Sequence, residues 1–154
     1  MAKTKRRNKA YKPRDPESIL LRFEPWKVAA VMNPLESIVD QLERDGTIDV
    51  ADDGQAVFKD HCDGVWYYSP VAILGVVDAY EIHERRAGVQ LQLDPLRRLA
   101  NKLKYQMMID QNDTAAARGC LERIRAATLN MTAGYAKRLI KDFQIMEAME
   151  GVKA

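Results

Sequence analysis

The chain is poor in several things that would otherwise fix its class. It has two cysteines, Cys62 and Cys120, in 154 residues, too few for a disulfide scaffold and in keeping with a reducing, cytoplasmic setting. Its longest run free of formal charge is residues 64–77, short of the roughly 20 apolar residues that span a bilayer. No apolar stretch follows the first positive charges, so a secretory signal is not expected, and neither is a membrane partner. There is no internal repeat. What is present is ordinary for a single soluble domain: 47% hydrophobic and 30% charged residues, with length enough for one continuous core.

A net charge of +2 conceals a strong segregation. Residues 1–14 hold seven bases (Lys3, Lys5, Arg6, Arg7, Lys9, Lys12 and Arg14) and no acid, whereas residues 15–63 hold twelve acids against four bases. The opening segment has one aromatic, Tyr11, and no apolar periodicity. It cannot bury enough area to offset its ordering entropy, so residues 1–17 are expected to be a flexible arm. Such an arm can track phosphates by releasing counterions, with Tyr11 stacking on a base. A solubilising tail, or a strap on the acidic middle of the chain, needs the same composition.

Residues 18–151 read as one mainly helical domain of five or six helices with a small antiparallel hairpin near 47–60. A brief helix is expected from about Pro25. Asn33-Pro34-Leu35-Glu36 then has the grammar of a new helix start, with Asn33 as cap, Pro34 at the first position and Glu36 completing a capping box. Leu35, Ile38, Val39 and Leu42 repeat at helical spacing, and Gly46 is the stop. Residues 47–50 alternate, Asp53-Gly54 is a hairpin turn signal, Ala56-Val57-Phe58 resumes apolar character, and residues 65–68 are placed to add a third strand.

Ser69-Pro70 opens a helix running to about Ala87. Its first half, apolar on nearly every side, reads as a buried central helix, and its second half, with His83, as solvated. Asp94-Pro95 opens a helix whose stripe Leu96, Leu99, Ala100, Leu103 and Met107 opposes the cations Arg97, Arg98, Lys102 and Lys104. Asp113 or Thr114 caps the next helix, which carries Ala117, Leu121, Ile124 and Thr128. Thr132 caps the last, which carries Ala136, Leu139, Ile140, Phe143 and Met146 and ends at Gly151.

The segments KRRNKAYKPR, DGVWYYSPVAILGVVDAYEIHERRAG and LDPLRRLANKLKYQM, together with AAARGCLERIRAATLNMTAGYAKRLI, resemble a loose group of small phage and prophage proteins of proteobacteria. That group shares a basic start, a Trp-containing turn before an apolar helix and an RRLANKL-like helix. The resemblance implies a phage-encoded protein of the host cytoplasm and carries no mechanism with it.

Chemistry-bearing patterns are few. Asp49, Asp53, Gly54 and Asp60 fall at positions 1, 5, 6 and 12 of a calcium loop, but Ala51 stands at position 3 and the last ligand is an Asp between strand-like flanks. His61-Cys62-Asp63 lacks the paired spacing of a zinc site, and no orienting third group completes a Cys62–His61 nucleophile. No metal, cofactor or catalytic residue is assigned. Residues 122–139 have helix-turn-helix spacing, with Ala126 four before the turn residue Asn130, Met131 filling the turn and Thr132 as cap; the last helix would then offer Tyr135, Lys137, Arg138 and Lys141 to a groove. An antiparallel helical hairpin needs the same residues.

The expectation is a non-enzymatic protein that binds nucleic acid or a nucleoprotein complex. The arm, the Arg97/Arg98/Lys102 face and Lys137, Arg138 and Lys141 would make the contacts. The alternative is an inhibitor or adaptor that docks on a host or phage protein through Asp49, Asp52, Asp53, Trp66, Tyr67 and Tyr68, since aromatic side chains dominate interface energetics.

Overall fold

The computed structural model describes residues 15–60 and 63–152, with side chains to residue 149. Among the described residues it is mainly helical, with five α-helices and one two-stranded antiparallel hairpin.

The chain enters through a strap made of two 3-10 turns, Pro16–Ser18 and Leu21–Phe23, the first capped by the Asp15 carboxylate on the Glu17 N–H. The first helix, α1, is Pro25–Asp45 and runs straight through the expected start at Asn33. Pro34 lies inside it, and Asn33 is an exposed helical residue. The reason is the buried stripe Val28, Met32, Leu35, Ile38, Val39 and Leu42, which continues across the proline without a phase break. Pro34 removes one backbone donor, and the residue that would lose it, Ala30, lies on the solvent side. Gly46, at φ 72°, closes the helix in the left-handed conformation.

The hairpin lies further along than the alternation at 47–50 predicts. Strands β1, Val57–Lys59, and β2, Trp66–Tyr68, pair Val57 with Tyr68, Phe58 with Tyr67 and Lys59 with Trp66. The Asp53-Gly54 turn forms, but it supports only a Val50–Ala56 bridge, and Val50 is 61% exposed. Val57 and Phe58 are both buried, so the ribbon is held by what it packs on and not by strict two-sidedness.

Helix α2, Ser69–Ala87, and the short α3, Asp94–Lys104, pack against each other. Helix α4, Gln111–Leu129, lies on α1 and α3. Its cap is Asp110 rather than Asp113 or Thr114. The Asp110 carboxylate accepts from Asp113 N–H at 2.9 Å, and the Asp113 carboxylate accepts from Asp110 N–H at 3.0 Å. Helix α5, Ala133–Val152, passes through Gly151 and packs on α2 and the strap. Thr132 caps it by accepting from Tyr135 N–H.

The core follows the stripes read from the sequence on α3 and α4: Leu96, Leu99, Ala100 and Leu103, then Ala117, Leu121, Ile124 and Thr128, are all buried. Three readings change. Met107 is exposed because α3 ends at Lys104 before the stripe reaches it. Helix α2 is not enclosed: Ile73 and Val77 are buried, but Val71 is 66% exposed. On α5, Leu139 is buried, whereas Ile140 and Met146 are exposed.

Candidate nucleic-acid interface

The strap is held by main-chain bonds to the turn between α4 and α5. Leu21 N–H donates to the Met131 carbonyl and Ala133 N–H to the Ile19 carbonyl, each at 2.9 Å, around an isolated bridge between Leu20 and Thr132. The Arg22 guanidinium donates to the Asn130 side-chain carbonyl. Gly134 lies against Glu17 so closely that a Cβ there would stand 2.8 Å from the Glu17 Cβ. Residues 15–17 therefore belong to the folded body and not to the arm. A short polar segment with one apolar triplet, Ile19-Leu20-Leu21, gains its order from backbone groups that the helix ends leave unpaired. The point where the basic segment joins the body is thereby fixed beside the first turn of α5. The arm residues Lys3, Lys5, Arg6, Arg7, Lys9, Tyr11, Lys12 and Arg14 lie outside the described residues.

The cations proposed on α5 separate. Arg138 and Lys141 are exposed, and among the described residues no ion pair holds either. Lys137 instead lines an apolar groove. Tyr135 is not presented outward: its hydroxyl meets His83 Nδ1 at 2.7 Å, with the two rings edge to face. His83 is thus part of the α2–α5 contact and not a solvated side chain, and burial holds its imidazole below the usual histidine range. Beside it the buried Tyr80 hydroxyl bonds Thr128 of α4. The antiparallel hairpin of α4 and α5 does not form, since α5 leaves α4 to lie on α2.

The α3 cations are mostly committed inside the protein. Arg97 pairs with Glu81 of α2 and with Asp94, and Lys102 with Asp113 of α4 at 2.7 Å. The Lys102 ammonium holds the Asp113 carboxyl below the ordinary aspartate range. Helical periodicity puts these side chains opposite the core, but it cannot show that α2 and α4 bring carboxylates to the same edge. Arg98 alone of the three is exposed and unpaired among the described residues.

The hairpin aromatics are exposed, Trp66 and Tyr68 on one side of the ribbon and Tyr67 on the other. Trp66, Tyr67 and Tyr68 are 53%, 42% and 43% exposed. Tyr67 donates to the Asp63 carboxylate at 2.6 Å, and Tyr68 to Asp53 at 3.1 Å. The Tyr67 hydroxyl and the Val65 N–H lower the Asp63 carboxyl, and that carboxylate raises the Tyr67 phenol in turn. Trp66 shares a shallow concavity of about 410 Å³ with Asp49 and Asp52.

Between α2, α5, the start of α1 and the strap runs an apolar groove of about 710 Å³. Small residues of α2 (Ala72, Gly75 and Ala79) lie along it, and Val31, Val71 and Ile140 are exposed on its banks. The signal for it was the excess of apolar residues on α2, which exceeds what one core face requires.

No family model matches this chain, and neither the curated proteins nor the solved structures contain a significantly similar one.

Proposed function

We propose that the protein is a non-enzymatic, phage-encoded accessory protein that binds nucleic acid or a nucleoprotein complex through its basic arm and the outer surface at the start of α5. The supporting observation is the strap: its bonds to Met131 and Ala133 bring the end of the seven-base segment to the first turn of α5, the helix that carries Arg138 and Lys141, which are exposed and unpaired among the described residues. Phosphates would be met by the arm and by the free cations of α5, whereas Arg97 and Lys102, already neutralised, add little.

Mobility shifts or anisotropy at two salt concentrations test this reading with the full chain, a chain lacking residues 1–14, Arg138→Glu/Lys141→Glu, and Arg97→Gln. Removing the arm should abolish most affinity and flatten the salt dependence by several counterions, at about 0.9 per duplex phosphate contact. The α5 double variant should give a partial loss that is uniform across sequences. Arg97→Gln should bind like the full chain. A full chain without salt-dependent binding to any single- or double-stranded nucleic acid defeats the proposal.

A second reading, an adaptor or inhibitor that docks on a protein, draws on the exposed Trp66, Tyr67 and Tyr68. The hydroxyls of Tyr67 and Tyr68 are oriented in advance by Asp63 and Asp53, which reduces the entropy lost on binding.

A further inference from the structure

Scattered apolar side chains on a protein surface need no explanation, but Val31, Val71 and Ile140 are not scattered. They stand 40%, 66% and 48% exposed on the banks of one groove. One bank is α5 itself. Along its groove side α5 presents Lys137, Ile140, Phe143 and Glu147, at spacings of three, three and four residues, which is one helical face. Neither Lys137 nor Glu147 is in an ion pair among the described residues. This face therefore carries a cation at one end, an anion at the other and apolar side chains between.

Such a face is its own complement under a two-fold axis. When two copies of α5 lie antiparallel with the axis beside residue 142, position 137 of each meets position 147 of the other. Ile140 and Phe143 then flank the axis. The charges are about 15 Å apart along the helix, ten residues at 1.5 Å each, so both pairs form at once. Each copy's α5 bank then lies along the trough of the other, where the small Ala72 and Ala79 leave room. A pairing of this kind is closed and does not propagate. An unrelated helix would have to supply by chance the charge order that a second copy supplies by symmetry.

We infer that the groove between α2 and α5 is a two-fold homodimer interface, in which α5 pairs antiparallel with α5 of a second copy through Lys137–Glu147 contacts at both ends. Arg138 and Lys141 do not line the groove, so the inference does not rest on nucleic-acid binding.

Sedimentation velocity over a concentration series, at low and moderate salt, tests it on the full chain. The wild-type protein should sediment as a dimer. Lys137→Glu and Glu147→Lys each place like charges at both ends and should raise the dimer dissociation constant about tenfold or more. The double reversal Lys137→Glu/Glu147→Lys restores opposite charges and should return it to near the wild-type value. Ile140→Asp, at the centre, should give monomer. Circular dichroism melting of each variant keeps loss of fold distinct from loss of pairing. A wild-type monomer throughout, single reversals that pair like wild type, or a double reversal no better than the singles each overturns the inference.

Discussion

Replacing Leu99 with alanine removes three carbons from a side chain that is 0% exposed and sits where α3 meets α2 and α4. At about 0.8 kcal/mol for each buried methylene, the transfer loss alone is about 2.4 kcal/mol. Leu99 belongs to a core cluster shared by α2, α3 and α4, and those helices are held by their other contacts, so the site cannot collapse fully. A residual cavity then brings the loss to about 3–5 kcal/mol. For a chain of this size that lowers the melting temperature by roughly 6 to 20 °C. Met107, which continues the same sequence stripe, is 56% exposed beyond the end of α3. Met107→Ala should stay within about 0.5 kcal/mol. Urea and thermal unfolding of the two variants, followed by circular dichroism, compare them directly. A Leu99→Ala loss below about 1 kcal/mol, or a Met107→Ala loss of the same size as that of Leu99→Ala, would show that α3 is phased or terminated differently.

Gly134→Ala drives a Cβ to 2.8 Å from the Glu17 Cβ and 3.1 Å from its carbonyl oxygen. It should cost about 1–3 kcal/mol and weaken nucleic-acid binding by displacing the strap. Gly119→Ala on α4, whose new Cβ meets only a flexible arginine end at 3.5 Å, should instead gain up to about 1 kcal/mol. His83 is partly buried against Tyr135, and that burial lowers its folded pKa, so the unfolded chain binds more protons as pH falls through about 6.5. Stability should be full above that pH and decline as pH drops towards the folded value. His83→Gln should remove its share of that slope in urea unfolding at pH 7.5, 6.5 and 5.5; an unchanged slope would rule out His83 as a source.

The helices were legible because their evidence is local. The stripes of α3 and α4, the Gly46 and Gly88 stops and the Thr132 cap all follow from residues within a turn or two of each other, where periodicity and capping operate. The same locality misled at Asn33-Pro34. A good start signal was overridden by a core stripe that runs on both sides of it and by the solvent position of Ala30, and only the packed fold supplies either fact. The hairpin moved for a related reason: the turn at Asp53-Gly54 forms, but pairing goes to the strand whose partner buries Val57 and Phe58.

Sequence alone determined the helical class, the segregation of charge and the aromatic run at 66–68, because each is a sum or a spacing along the chain. Tertiary structure decided which of those charges remain available. Arg97 and Lys102 are neutralised by carboxylates from other helices, and Arg138 and Lys141 are not. It also decided that His83 is a packing residue and that α2 and α5 leave a groove between them. Ion pairs and grooves arise between elements distant in the chain, and their formation depends on how far apart packing holds those elements, a quantity no local pattern encodes.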